Sequence, residues 1–141
     1  MKSRVVKVIF DTNVWISFLI GKRLSGIRQY ISDGRIQIVT TDLLLWEIKE
    51  VTGRKKLRKY FAPQSVDELM ELLELIAEKV HIPTPVHTNC RDPKDNFLLD
   101  LIDFSQADFL VTGDADLLAI NPFKTARILS PSEFEELLES L

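Results

Sequence analysis

The run Val5-Val6-Lys7-Val8-Ile9-Phe10 limits what this chain can fold into more than any other stretch. Five of its six residues are apolar, with β-branched valine and isoleucine dominating. A short, nearly continuous apolar run of this kind fits a strand covered on both faces, the situation of a parallel sheet. It ends abruptly at Asp11. In open parallel α/β sheets, ligands bind just beyond the carboxyl ends of the strands, which is where Asp11 would stand. The same residue could serve only to open a turn. Asn13 is a natural N-cap for a following helix, because its side chain can accept from the first free backbone N–H groups.

The rest of the chain alternates in the same way. Helices are expected over Val14–Ile20, Leu24–Asp33 (with Gly34 as its stop), Leu43–Thr52 (capped by Thr41 or Asp42) and Ser65 to about Lys79. Further helices are expected from Asp92 to Ser105, over Ala115–Ala119, and after Ser130. Strands are expected at Ile36–Thr40, Val80–Ile82, Asp108–Thr112 and Ala126–Leu129. Strands alternating with helices define an α/β class with a central parallel β-sheet. With 141 residues and no linker or internal repeat, the whole chain reads as one domain.

Composition narrows the function classes. Hydrophobic residues make up 45% and charged ones 28%, the balance of an ordinary globular protein. No apolar run approaches the ~18 residues of a membrane span, and no secretory signal opens the chain, so a cytoplasmic location without membrane contact is expected. Cys90 is the only cysteine, which excludes an intrachain disulfide and a multi-cysteine zinc site. The net charge is −3 and the pI about 5.4. That is not the footprint of a protein that grips nucleic acid by bulk charge. A phosphate substrate would need local basic patches or bound cations.

Several carboxylates stand where an ordinary core would not put them. On a helical wheel Glu47 lies between Leu43 and Val51, beside Leu44 and Ile48, in the middle of an apolar arc. A carboxylate aimed at a core is costly unless paired, protonated or bound to metal. An interior salt bridge, to Arg91 for example, or a rotated helix are the plainer alternatives. In Asp92-Pro93-Lys94-Asp95, capping alone could account for both aspartates. Yet Asp95 shares a face with Leu98, Leu99 and Ile102. Asp114 repeats the pattern of Asp11 after Phe109-Leu110-Val111, and Asp116 follows on the same turn, one acid more than capping requires. Four like charges gathered at one rim would repel strongly unless cations neutralised them. Hard oxygen ligands without Cys or His point to Mg²⁺ or Mn²⁺.

These pieces together resemble the PIN-domain ribonucleases, in particular the VapC-like toxins of toxin–antitoxin pairs. The resemblance rests on Phe10-Asp11-Thr12-Asn13, on Glu47 in a mid-chain helix, on Arg91-Asp92-Pro93-Lys94-Asp95-Asn96, and on Val111-Thr112-Gly113-Asp114-Ala115-Asp116-Leu117. It runs from about Val5 to Leu129. It implies a five-stranded parallel sheet in an α/β/α arrangement and an endoribonuclease dependent on one or two Mg²⁺ or Mn²⁺ ions. By the family pattern, Asp11, Glu47, Asp95 and Asp114 match the acidic quartet and Asp116 an additional acid. Asn13 and Thr112 match polar residues that orient it. A protein antitoxin and a homodimer are implied as partners.

Such chemistry needs no histidine, and His81 and His87 flank a Pro-rich turn away from every motif. The basic run from Arg54 through Lys55 and Lys56 to Lys59 would contact RNA phosphates, or else form a solvated face. Trp15 and Trp46 read as core or interface residues rather than base-stacking platforms. Two rivals remain: a catalytically silent scaffold that binds a partner, and a haloacid-dehalogenase-like phosphatase. The latter wants an aspartate two residues after the first, where this chain has Asn13.

Overall fold

The computed structural model describes residues 5–21, 24–82 and 96–140, apart from the side chains of residues 24–26. The first run forms strand β1 (Val6–Phe10), which leads directly into helix α1 (Thr12–Gly21). Helix α2 (Leu24–Ser32), strand β2 (Ile36–Thr40) and helix α3 (Asp42–Thr52) follow. A 3₁₀ turn (Lys55–Tyr60), helix α4 (Pro63–Ile76) and strand β3 (Glu78–Lys79) complete the first half. The second half holds helix α5 (Asn96–Ser105), strand β4 (Phe109–Val111), helix α6 (Ala115–Leu118), strand β5 (Arg127–Leu129) and helix α7 (Pro131–Glu139).

The strands make one five-stranded sheet in the order β3-β2-β1-β4-β5, every neighbouring pair parallel. Successive side chains of a strand point to opposite faces, and both faces are dry here. Val8 and Phe10 point into one core with Ile36, Ile38, Val111 and Leu129. Ile9, Val39, Leu110 and Ile128 point into the other. Helices α1, α2, α4 and α7 cover the first face, where Phe10, Trp15, Phe18 and Phe134 meet edge to face with centroids 5.0 to 5.8 Å apart. Helices α5 and α6 cover the second. The continuous apolar character of β1 is thus explained by burial on both sides, in a three-layer α/β/α arrangement.

Helix ends follow local chemistry, in some places not as the sequence pattern predicts. Gly34, at φ 74°, closes α2 as expected: its N–H donates to the Ile31 carbonyl and that of Arg35 to the Tyr30 carbonyl, a Schellman pair. Ser130 and Glu133 form a reciprocal capping box at α7. At α1 the expected cap is displaced. Asp11 Oδ1, not Asn13, accepts from the Val14 N–H at 2.8 Å, and Asn13 lies exposed within the first turn. Thr41 precedes α3 but makes no side-chain capping bond.

The expected helix from Ser65 to Lys79 starts earlier, at Pro63, and ends at Ile76; the strand expected at Val80–Ile82 is instead Glu78–Lys79. Pro63 suits a first helical turn, where its missing N–H costs nothing. At the other end, the sheet edge competes with the helix. The Gln37 side chain donates to the Ile76 carbonyl, and the open edge of β2 pairs with Glu78 and Lys79. Val80 then donates to the Thr40 carbonyl and packs in the second core rather than on the stripe of α4.

Candidate active site

The strand order fixes where a site can form. From β1 the chain runs outward through β2 to β3, then returns to lay β4 and β5 on the opposite side of β1. The reversal leaves a crevice at the carboxyl ends of β1 and β4, the position at which open α/β sheets bind ligands. Phe10 pairs with Val111 in register, so the next residues, Asp11 and Thr112, emerge side by side. The Asp11 N–H bonds the Val111 carbonyl at 3.2 Å and ties the two strand ends together.

Asp11 is 6% exposed, and both its carboxylate oxygens are engaged. Oδ1 accepts from the Val14 N–H, and Oδ2 accepts a short hydrogen bond from the buried Thr112 hydroxyl. A carboxylate offers about four lone-pair sites, so capacity remains for a further donor or a cation. Burial pushes the Asp11 carboxyl above its ordinary range against the pull of those two bonds, and the charges of Asp114 and Glu47 push it further. The Thr112 hydroxyl in turn accepts from the Asp114 N–H at 3.1 Å. Asp114 caps α6, its Oδ1 accepting from Asp116 and Leu117 N–H groups at 2.8 and 3.4 Å. The capping alternative therefore holds for Asp114, which nonetheless faces the same cavity as Asp11.

Glu47 arrives from α3. The buried stripe of this helix is Leu44, Leu45, Ile48 and Thr52, while Leu43 is 45% exposed. The helix is rotated relative to the arc that the wheel predicts, so Glu47 sits half-buried at its margin rather than at its centre. The Thr12 hydroxyl, at the start of α1, donates to Glu47 Oε2 at 2.7 Å. Thr12 thereby links the acid of α3 to the loop that carries Asp11. Within the linear pattern only its place beside Asp11 marks it.

Asp11, Thr12, Asn13, Glu47 and Asp114 line one open cavity of about 560 Å³. Trp46, Glu50 and Arg54 complete its α3 side, with Arg54 ion-paired to Glu50 at 2.9 Å. Lys55 and Lys56, grouped with Arg54 by the sequence, are exposed on the 3₁₀ turn and do not line the cavity. Asp116 is half-buried in the first turn of α6 and does not line it either. Asp95, together with Arg91 and Asp92, lies outside the described residues. Trp15 is a core residue as expected; Trp46 is 60% exposed, which removes the core half of its core-or-interface reading.

The donor chemistry of this cavity, carboxylates that repel one another with hydroxyls between them, suits a hard divalent cation. Among the described residues, no three His, Cys, Asp or Glu side chains are grouped closely enough to hold a metal ion by themselves. Nor, among those residues, is any helix long and apolar enough to cross a membrane.

Thr112 is the structural hinge of the arrangement, since one hydroxyl serves two acids. Thr112→Val should lower stability by about 1–3 kcal/mol, because it strips a donor from a buried carboxylate and an acceptor from the Asp114 N–H. Thr112→Ser should restore most of the loss in a denaturant melt. A valine variant as stable as wild type would remove Thr112 from this role.

A five-stranded parallel sheet with an acidic cavity at its switch point defines an α/β domain with a ligand site at the strand ends. Residues 7–116 match the PIN domain family, and the chain belongs to it. An uncharacterised protein of Methanocaldococcus jannaschii, MJ1680, is 33% identical over 125 residues, covering 85% of this chain and 78% of the relative. The crystal structure of PAE2754 from Pyrobaculum aerophilum superposes with a TM-score of 0.60 at 14% identity. That likeness spans 96% of this chain and 91% of the other, and it bears on the fold alone. PIN domains are generally nucleases and usually use divalent metal ions.

Proposed function

We propose that this protein is a metal-dependent endoribonuclease that hydrolyses RNA phosphodiester bonds. The observation that carries this reading is the convergence of Asp11, Glu47 and Asp114, from three separate elements, on one cavity at the carboxyl end of the sheet. In this reading Asp11, Glu47 and Asp114, not grouped closely enough to hold an ion by themselves, would hold Mg²⁺ or Mn²⁺ together with Asp95 as the fourth acid and Asp116 in support. A bound ion of this kind supplies Lewis-acid activation of water and stabilises charge at the leaving oxygen. The chain's own part is positioning. Thr112 fixes the Asp11 carboxylate from one side and the Val14 N–H from the other, leaving its remaining lone pairs for the cavity. Thr12 holds Glu47 in the same way. Asn13 lies exposed on the same wall and in this reading would help orient the acids. Arg54, by exchanging Glu50 for a phosphate, would offset the acidity of the rim. Lys55 and Lys56 would extend this basic flank along the RNA.

We extend the reading to the toxin of a type II toxin–antitoxin pair, held by a protein antitoxin and active as a homodimer in the cytoplasm. The support is the family membership and the exposed apolar side chains outside the cavity, Ile20 and Leu75 among them.

Purified wild type incubated with a mixed RNA panel tests the activity, in Mn²⁺, in Mg²⁺ and in EDTA. Cleavage is expected with either metal and should vanish in EDTA. Cleavage that survives EDTA would overturn the metal requirement. Silence toward every RNA, with no rise in melting temperature on adding either ion, would favour the scaffold alternative.

A further inference from the structure

Trp46 brings a large aromatic ring to the cavity wall that the chemistry above does not use. It precedes Glu47 on α3, so the two Cα atoms are about 3.8 Å apart and their side chains diverge by about 100° around the helix. Both line the cavity with Asp11 and Asp114. Glu47 turns toward Thr12, whereas the indole of Trp46 stays 60% exposed on the outer wall. A large aromatic ring left mostly in water gives the fold little of its stabilising value, which comes from burial.

The overall charge sharpens the question of what the ring is for. A chain of net charge −3 has little bulk attraction for a polyanion, and four of its carboxylates, Asp11, Glu47, Glu50 and Asp114, line the cavity. Beyond what bound cations and the basic flank at Arg54 would supply, affinity for RNA can come from contacts that do not depend on charge. Stacking of a base on an aromatic ring is such a contact, because every base has an uncharged π-face. The cavity, at about 560 Å³, lies within the ~300–1,000 Å³ typical of ligand sites. Arg54 lies eight residues further along, at the same cavity, its guanidinium paired with Glu50 at 2.9 Å, a partner it could exchange for a neighbouring phosphate.

We infer that Trp46 is a stacking platform for a nucleobase of single-stranded RNA, holding the nucleotide beside the scissile phosphate. This rests on the ribonuclease reading of the same cavity. Trp46 positions substrate and takes no part in bond cleavage. Because stacking is tolerant of base identity, the platform sets affinity more than sequence choice. An unpaired strand is required, since a base held in a duplex presents no free face.

The chain has two tryptophans, and Trp15 is buried, so fluorescence quenching by added ligand reports on Trp46. Single-stranded oligoadenylate and an abasic ribose-phosphate strand of equal length would be titrated into Asp11→Asn protein. Oligoadenylate is expected to quench and the abasic strand to leave the emission unchanged. With wild-type catalytic residues, Trp46→Ala should raise KM for RNA roughly 5- to 100-fold, hold kcat within about threefold, and leave the oligomeric state unchanged. Trp46→Phe should recover most of the loss. An alanine variant with wild-type KM would overturn the platform while leaving the nuclease intact. A variant that loses activity together with a subunit, seen by light scattering, would assign Trp46 to a protein contact and also overturn it. If wild type itself neither binds nor cleaves RNA, the ribonuclease reading fails first and the platform falls with it.

Discussion

Asp11→Asn should cut RNA cleavage by roughly two to three orders of magnitude and at the same time make the protein more stable. Loss of one charge-stabilising group from a preorganised site costs roughly 10²–10³-fold in rate, and Asp11 is the most buried of the cavity acids. The stability gain has a separate cause. Burial and the charges of Asp114 and Glu47 hold the Asp11 carboxyl above its ordinary value of 3.8. For an acid raised in the folded state, the stabilising contribution is fully present below 3.8 and is lost as pH rises through the folded value. At neutral pH the ionised carboxylate therefore weighs against folding. Asparagine carries no charge, and its carbonyl can still accept from Val14; its amide reverses the bond with Thr112, whose hydroxyl must then turn its proton elsewhere, an opposing cost that keeps the net gain small.

A gain of about 1 kcal/mol is expected, a few degrees in melting temperature for a chain of this length. The gap between variant and wild type should open as pH climbs above the acid range. Mn²⁺ or Mg²⁺ should narrow it by stabilising wild type alone. A variant that melts below wild type at neutral pH would contradict this account of the site's electrostatics, whatever its activity.

Glu47→Gln should cost a comparable factor in cleavage, about 10²-fold or more, while leaving α3 in place. Glutamine retains a carbonyl oxygen to accept the Thr12 hydroxyl, so the 2.7 Å link to α1 survives and only the charge is removed. The informative quantity is the double variant. Glu47 is one of the two charges that raise Asp11, so each single substitution relieves part of the same repulsion. The stability gain of Asp11→Asn should accordingly be smaller in the Glu47→Gln background than in wild type, a coupling measurable by melts of all four proteins. Strict additivity would mean that Glu47 and Asp11 do not share a field. Wild-type cleavage by Glu47→Gln would remove Glu47 from the catalytic set.

The architecture was legible because its signals are local and repeated. Val5 to Phe10, Ile36 to Thr40 and Phe109 to Val111 are short apolar runs bounded by polar turns, which suit strands buried on both faces. Gly34 and the Ser130-to-Glu133 box mark helix ends through bonds between near neighbours in sequence. Where an end depends on a distant partner, the sequence pattern fails. The end of α4 depends on the free edge of β2 and the Gln37 side chain, some 40 residues away in sequence. Asn13 yields the cap to Asp11 because the tie between the two strand ends and the Thr112 bond hold the Asp11 carboxylate over the start of α1.

For the site, the sequence by itself determined which acids stand out: Asp11 and Asp114 after strand-like runs, and Glu47 among apolar neighbours. It also led to the family, through motifs in the right order. Tertiary structure alone decided which groups meet. The strand order brings β1 beside β4 and so sets Thr112 against Asp11, 101 residues apart in the chain. The rotation of α3 turns Glu47 toward Thr12 and leaves Trp46 at the rim with Arg54, separating it from Lys55 and Lys56. Such outcomes cannot be read from periodicity. Periodicity reports which face of an element is apolar; the neighbour across the sheet, and the few tens of degrees by which a helix rolls on it, are set by packing against the whole core.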